Sequence, residues 1–320
     1  MNATSPIAIG IHGGCGTPAY TLLPEQDWVE TRADLEKSLR SAWAILVGGG
    51  SALDAVEAAI AVMEDSPHFN AGHGAALTED GAHELDASIM DGATLAAGAV
   101  CAVRTVRNPI RAARAVMERS DWVLIVGDAA DRFARREGLA MVENGYFTTE
   151  RRRQALAALK ARAERGTIAL ATEAEKHGTV GAVALDTRGN LAAGTSTGGF
   201  NNKPAGRVGD SPIIGAGTYA RNGGCAVSCT GQGEVFIRHA VAHDVWARMH
   251  YAGQTLVQAT DAQIFEVVTP YKIGAGLIAI DAKGQVLAPF NTIGMARGWI
   301  GADGVLHVGT HKDLHRISMA

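Results

Sequence analysis

The densest concentration of chemistry-bearing residues lies between Gly178 and Gly233, a stretch that holds 14 of the chain's 39 glycines, about twice its even share. In H-G-T-V-G-A-V-A-L-D, Thr179 follows a glycine at the start of an apolar strand pattern, and T-S-T-G-G (Thr195 to Gly199) ends the partner strand of the same hairpin. Hairpin pairing therefore brings Thr197 close to Thr179. G-R-V-G-D-S-P sets Arg207 and Asp210 three apart in a glycine loop, and S-C-T-G-Q-G-E carries Thr230, Gly231 and Gly233 after a short strand. A guanidinium grips a carboxylate with two parallel hydrogen bonds, and a carboxylate holds an ammonium. Arg207 and Asp210 together match the two charged ends of an α-amino acid. Taken alone they read as a surface ion pair; the threonines beside them turn the reading toward a site.

Threonine is a weak nucleophile unless a base sits next to it. One solution makes it the first residue of a chain, so that its own α-amine takes the proton. A free α-amine titrates near 7.7–8.0, and so is available as a base where a lysine is not. This chemistry requires the Gly178–Thr179 bond to be broken. A glycine at 178 lets the Thr179 hydroxyl approach the preceding carbonyl with no Cβ in the way. The competing reading is an ordinary threonine at a strand start.

Other chemistries find less support. His239 and His243 stand four apart on a helical pattern, as zinc ligands do, but no H-E-x-x-H glutamate accompanies them, and they read as solvent-facing or core histidines. Cys225 and Cys229 share one face of a strand pattern and read as buried thiols. There is no G-x-x-x-x-G-K-[ST], no dinucleotide fingerprint and no G-x-S-x-G elbow. Arg151, Arg152, Arg153, Lys160, Arg162, Arg165 and Lys176 are interspersed with acids and lack aromatics to stack bases, so they read as a solvated face.

The elements that must position Thr179 are legible in outline. Residues 7 to 11 (I-A-I-G-I) form a buried strand pattern leading into a tight glycine loop, His12 to Gly16. Helical patterns follow at Trp28 to Val47 and Ala52 to Asp65, the second opened by a Ser51-x-x-Asp54 cap. Strands are expected at Glu84 to Asp91, Gly98 to Val103 and Trp122 to Val126, and helices at Asn108 to Arg119 and Asp128 to Glu137. An Ala-rich, basic helix then frays into a linker over about 151–178. Beyond it, Gly181 to Gly199 and Gly276 to Gly294 are two similar hairpins, each turning at Asp-x-x-Gly, with helices Glu234 to Tyr251 and Thr255 to Val268 between them. Antiparallel hairpins among helices favour stacked α and β layers over a doubly wound parallel sheet.

Composition sets the bounds. The 320 residues are 47% apolar and 19% charged, enough to bury a sizeable core, with a net charge of −4 that attracts neither nucleic acid nor an anionic membrane. Four cysteines make no disulfide framework. No basic leader precedes an apolar stretch, and Asp54 and Glu57 interrupt the longest apolar helix. The expected compartment is the cytoplasm.

At these residues the chain resembles the plant-type (type III) asparaginase and isoaspartyl peptidase family of N-terminal nucleophile hydrolases. The motifs span nearly the whole length: H-G-G-C-G (12–16), S-A-L-D-A-V (51–56), F-N-A-G-H-G (69–74), E-L-D-A-S-I-M-D-G (84–92), R-N-P-I-R-A-A-R (107–114), H-G-T-V-G-A-V-A-L-D (177–186), T-S-T-G-G (195–199), G-R-V-G-D-S-P-I-I-G-A-G (206–217) and C-T-G-Q-G-E (229–234).

The resemblance implies an α+β fold, a four-layer αββα sandwich, made as one catalytic domain over 1–320. It implies a self-inflicted cut between Gly178 and Thr179, giving an α subunit (1–178) and a β subunit (179–320) that assemble as (αβ)2. By position, Thr179 resembles the nucleophile and Thr197 the hydroxyl that tunes it. Arg207 and Asp210 resemble the substrate anchors, and Thr230 and Gly231 the oxyanion donors. Gly233 lies on the same loop, and Asn70 resembles the asparagine beside the nucleophile. The main-chain carbonyls of Met63, Glu64, Ser66, Phe69, Ala71 and His73 resemble a sodium-binding loop. No cofactor is implied for catalysis. The implied reactions are hydrolysis of L-asparagine to aspartate and ammonia and of β-aspartyl dipeptides.

Two other readings compete. A glycosylasparaginase on the same fold would carry an acid at Gln232 and a secretory signal. A non-catalytic amino-acid binding protein would keep Arg207 and Asp210 but lose Thr179.

Overall fold

The computed structural model describes residues 6–164 and 178–318. In chain order its elements are β1 (Ala8–Cys15), α1 (Glu25–Val47), α2 (Ala52–Glu64), β2 (Leu85–Asp91), β3 (Ala97–Val103), α3 (Pro109–Arg119), β4 (Leu124–Val126), α4 (Gly127–Arg136) and α5 (Glu150–Glu164). Then come β5 (Val180–Leu185), β6 (Leu191–Thr197), β7 (Thr218–Ala220), β8 (Cys225–Gly231), α6 (Gly233–His239), α7 (Val241–Ala252), α8 (Leu256–Asp261), β9 (Ala275–Asp281), β10 (Val286–Leu287), β11 (Met295–Ile300), β12 (Leu306–Gly309) and β13 (His315–Ile317). The part of the expected linker at 165–177 lies outside the described residues.

The side-chain alternation of β1 and β5 accounts for the layering. Ile9, Ile11, Val180, Ala182 and Ala184 enter a core shared with α1, α2 and α3. Ala8, Val183 and Leu185 enter a second core, with β8, β9 and α7. Strands buried on both faces in this way belong to the middle of a stack. A nine-stranded sheet, ordered β13-β12-β11-β1-β5-β6-β2-β3-β4 and antiparallel except for β3–β4, lies over a four-stranded antiparallel sheet, β10-β9-β8-β7. Helices cover both outer faces, giving the expected αββα sandwich.

Local chemistry fixes the turns and caps. Ser51 accepts the Asp54 N–H at the start of α2, an N-cap worth about 1 kcal/mol. The two Asp-x-x-Gly turns are built alike. Asp186 Oδ1 accepts the N–H groups of Arg188 and Asn190, and Asp281 Oδ1 those of Lys283 and Gln285. Gly189 and Gly284 follow with φ of +80° and +81°, which glycine adopts at no steric cost.

Three sequence expectations are corrected. The His12 to Gly16 segment is not a loop up to its last residue: β1 continues through Cys15, paired with β11 to its end and with β5 as far as His12, with a register shift against β11 between His12 and Gly14. The helix expected over Glu234 to Tyr251 breaks at Ala240, which takes a left-handed conformation (φ 46°) between α6 and α7. The second hairpin is shorter than expected, because β10 has only two residues before Pro289.

Candidate active site

Thr179 stands one residue before β5, just beyond the last β1–β5 pair. The β1–β5 ladder ends at His12–Gly181. Beyond it Gly14, at φ +105°, backs the Gly178–Thr179 bond so closely that a Cβ there would lie 2.6 Å from Gly178 Cα and 2.9 Å from Thr179 N. Gly178 itself has φ +156°, and Asn70 Cβ lies 3.1 Å from where a side chain at 178 would begin. Close backbone approach therefore requires glycine at 14, and the positive φ favours it at 178.

The β5–β6 register pairs Val180 with Ser196, which sets Thr179 across from Thr197. Thr179 Oγ1 donates to Thr197 Oγ1 at 3.1 Å, and the Gly199 N–H donates to the same oxygen at 3.0 Å. Thr179, Thr197, Arg207, Asp210, Gly231 and Gly233 line one cleft. Gly231 (φ +155°) has no room for a side chain between Phe236 and the Gly274 carbonyl, and a Cβ on Gly233 would strike Asp210.

Arg207 and Asp210 are not partners of each other. Nε and Nη2 of Arg207 both reach Glu234 Oε1, at 2.9 and 2.8 Å, and the guanidinium lies 4.6 Å from the Phe200 ring centre. Glu234 is 47% exposed, and such a pair is worth about 0–1 kcal/mol. An incoming carboxylate can displace it. Asp210 is buried, its Oδ2 has no hydrogen-bond partner among the described residues, and burial pushes its carboxyl up to about 7. A buried carboxylate oxygen without a partner is costly, and an ammonium placed in the cleft would relieve that cost.

Two candidates stand behind the cleft rather than in it. Thr230 is buried; its hydroxyl accepts the Cys15 N–H at 3.2 Å and, among the described residues, has the Cys15 sulfur, 3.8 Å away, as a weak acceptor for its own hydrogen. That hydrogen can be redirected to a stronger acceptor. Asn70 spans two segments, donating to the Gly199 carbonyl at 2.6 Å and accepting the Ala76 N–H at 2.7 Å.

The loop after α2 bends back so that the His73 N–H meets the Glu64 carbonyl at 2.7 Å. Among the described residues the carbonyls of Ser66, Phe69, Ala71 and His73 accept no hydrogen bond, whereas those of Met63 and Glu64 do. The histidine pair of the second half is separated by the break at Ala240: His239 meets the Tyr271 hydroxyl at 2.8 Å, and His243 packs edge-on against Tyr219.

Sequence reasoning missed three groups. Glu234 holds Arg207, a pairing over 27 positions whose only local signal is the glutamate ending C-T-G-Q-G-E. His12 reaches the Thr179 carbonyl; its motif stood out only for its glycines. Glu64 is fully buried and bonds Ser196 Oγ at 2.7 Å and the Ile110 N–H at 2.9 Å. Nothing in its amphipathic helix marks it.

Comparison with known proteins gives a consistent result. The family described as Asparaginase matches residues 5–310. An isoaspartyl peptidase of Salmonella typhimurium is 48% identical over 294 residues, covering 91% of this chain and 94% of that protein. An isoaspartyl peptidase of Escherichia coli is 48% identical over 296 residues (91% and 92%), and an isoaspartyl peptidase/L-asparaginase of Homo sapiens is 40% identical over 311 residues (97% of each).

Proposed function

The chain belongs to the asparaginase family, and from that premise we propose that it is a hydrolase of L-asparagine and β-aspartyl dipeptides working through Thr179 as an N-terminal nucleophile. The observation that carries this reading is the cleft itself: Thr179 Oγ1 bonded to Thr197, with Arg207 and the unpartnered Oδ2 of Asp210 in the same cavity.

Maturation uses the nucleophile first. Thr179 Oγ attacks the Gly178 carbonyl, the peptide nitrogen leaves as the new α-amine, and water hydrolyses the resulting ester to free the hydroxyl. In turnover, Arg207 takes the substrate α-carboxylate from Glu234, and Asp210 takes the α-ammonium. The α-amine of Thr179 removes the hydroxyl proton as Oγ attacks the side-chain carbonyl of the substrate. The Thr230 hydroxyl and the Gly231 N–H stabilise the oxyanion. The amine passes its proton to the leaving group, which departs as ammonia or an amino acid, and water then releases aspartate from the acyl-enzyme. Glycosylasparagine hydrolysis and amino-acid binding without turnover are not favoured, since the relatives described above carry isoaspartyl peptidase names.

Sodium is the structural ion this reading includes. The carbonyls of Ser66, Phe69, Ala71 and His73, free of hydrogen bonds among the described residues, suit a hard cation that prefers oxygen ligands, with Met63 and Glu64 completing the loop. The reading includes no catalytic cofactor. The fragments assemble as (αβ)2, supported by the exposed apolar residues Trp122, Leu124 and Val126 at the edge strand β4. Among the described residues no helix is long and apolar enough to cross a membrane. Four free, buried cysteines suit a reducing cytoplasm.

Initial rates on L-asparagine, β-aspartyl-Leu and a glycosyl-asparagine test the substrate class. Aspartate release from the first two supports it; activity confined to the third, or none, overturns it.

A further inference from the structure

Cutting the chain before Thr179 removes the covalent restraint on one side of the nucleophile. Its N and Cβ both hang on Cα, so the orientation of hydroxyl and amine depends on how firmly the Thr179–Val180 peptide plane is held. β6 pairs with Val180 on one side, but on the other the β1–β5 ladder cannot hold it, because it ends at His12–Gly181. The His12 side chain does so instead: Nδ1 lies 2.9 Å from the Thr179 carbonyl oxygen.

A carbonyl only accepts, so Nδ1 carries the hydrogen. Burial pushes the imidazole down to about 3, which keeps it neutral and leaves Nε2 as an acceptor. Ser228 Oγ, 2.9 Å away, therefore donates to Nε2. Thr195 Oγ1, at 2.7 Å, donates in turn to Ser228, and Thr218 Oγ1, at 2.5 Å, donates to Thr195. Ser88 stands at the far end, where its one hydrogen has two acceptors, the Thr218 Oγ1 at 2.8 Å and the Ser211 carbonyl at 2.6 Å. His12, Ser88, Thr195, Thr218 and Ser228 are all fully buried. From Thr218 to Ser228 each hydroxyl thus donates toward His12, a direction set by the Thr179 carbonyl at that end. Ser211 adjoins Asp210, so the chain runs from the nucleophile to the loop expected to hold the substrate ammonium. Space for it depends on Gly181, where a Cβ would lie 1.9 Å from Ser228 Oγ and 2.5 Å from His12 Nε2.

We propose that His12 is a positioning residue for the reaction: through its bond to the Thr179 carbonyl and the buried hydroxyls behind it, it holds the nucleophile in fixed relation to the Asp210 loop. The proposal rests on the reading of Thr179 as the nucleophile. It separates turnover from binding, because His12 touches neither Arg207 nor the cleft.

The test compares His12→Phe, His12→Asn and Ser228→Ala with the wild-type enzyme, using β-aspartyl-Leu and the rate of self-cutting. Asparagine places an amide N–H near the position of Nδ1, whereas phenylalanine offers none. The expected result for His12→Phe is a fall in kcat of about 10- to 100-fold, the scale of a small misplacement of reacting groups, with KM changed less than about twofold, and with slower cutting. His12→Asn recovers most of kcat. Wild-type kcat in His12→Phe, equal loss in both His12 variants, or a change confined to KM overturns the proposal. If His12→Phe does not fold, the smaller Ser228→Ala change decides: kcat several-fold lower at unchanged KM supports it, and unchanged kcat overturns it. A wild-type chain that neither cuts itself nor releases aspartate defeats the nucleophile reading, whereas an active wild type with an unimpaired His12→Phe variant defeats only this inference.

Discussion

The Thr197 hydroxyl oxygen accepts hydrogen bonds from both Thr179 Oγ1 (3.1 Å) and the Gly199 N–H (3.0 Å), so the Thr179 hydroxyl hydrogen is held toward β6. Thr197→Val removes this acceptor while keeping the shape of the side chain. A hydrogen bond of about 1–3 kcal/mol aimed at the reacting atom corresponds to a fall in kcat of about 10- to 100-fold. Steady-state rates should show that fall with little change in KM, and Thr197→Ser should restore most of it.

Binding should depend on the charge of Asp210. Burial holds its carboxyl near 7, so below that pH the free enzyme loses the negative charge that takes an ammonium. The α-amine of Thr179 must also be neutral to act as a base, and amines of this kind titrate near 7.7–8.0. Two protons must therefore leave as pH rises, and log kcat/KM should climb with a slope approaching about two on the acid side. In Asp210→Asn the slope should fall to about one, with kcat/KM lower throughout. An unchanged slope would remove Asp210 from the ammonium site.

Glu234 competes with substrate for Arg207. Replacing it by glutamine keeps a hydrogen-bond acceptor but removes the negative charge that an incoming α-carboxylate must displace. KM for β-aspartyl-Leu should fall by about two- to tenfold, the scale of an exposed ion pair, with kcat nearly unchanged. A raised KM would assign Glu234 the opposite role, that of a brace for the guanidinium.

Glu64 links the interior to pH. Burial pushes its carboxyl up to about 8, and Oε2 has no hydrogen-bond partner among the described residues. The folded state therefore keeps a proton that the unfolded chain releases above about 4.5. The stability this group contributes is fully present below about pH 4.5 and is lost as pH rises through 8. Glu64→Gln should match the wild-type melting temperature near about pH 5 and exceed it by about 3 °C or more near about pH 8.5. A difference independent of pH would mean that Glu64 is ionised in the fold.

What could be read from the sequence divides along a physical line. The β5–β6 hairpin, its Asp186 turn, the Ser51 cap and the closeness of Thr179 to Thr197 follow from interactions within a few residues or across one hairpin, and their signals lie side by side in the chain. The glycines of the H-G-G-C segment suggest a loop, whereas β11 draws it into a ladder through Cys15, with β5 on the other side as far as His12, a tertiary effect that overrides local preference. The break at Ala240 left no mark, since neither glycine nor proline stands there. The His12–Ser228 contact joins residues 216 positions apart, and only the packing of one sheet on the other creates it.

As the nucleophile of this reaction, Thr179 becomes a chain terminus. Intact-mass measurement and N-terminal sequencing of the purified, incubated protein test it most directly. The expected products are fragments of 178 and 142 residues, the second beginning with Thr179, and a single uncut chain for Thr179→Ala that releases no aspartate. A full-length chain of 33.3 kDa that hydrolyses β-aspartyl-Leu without being cut, or a second fragment beginning at any other residue, would contradict it.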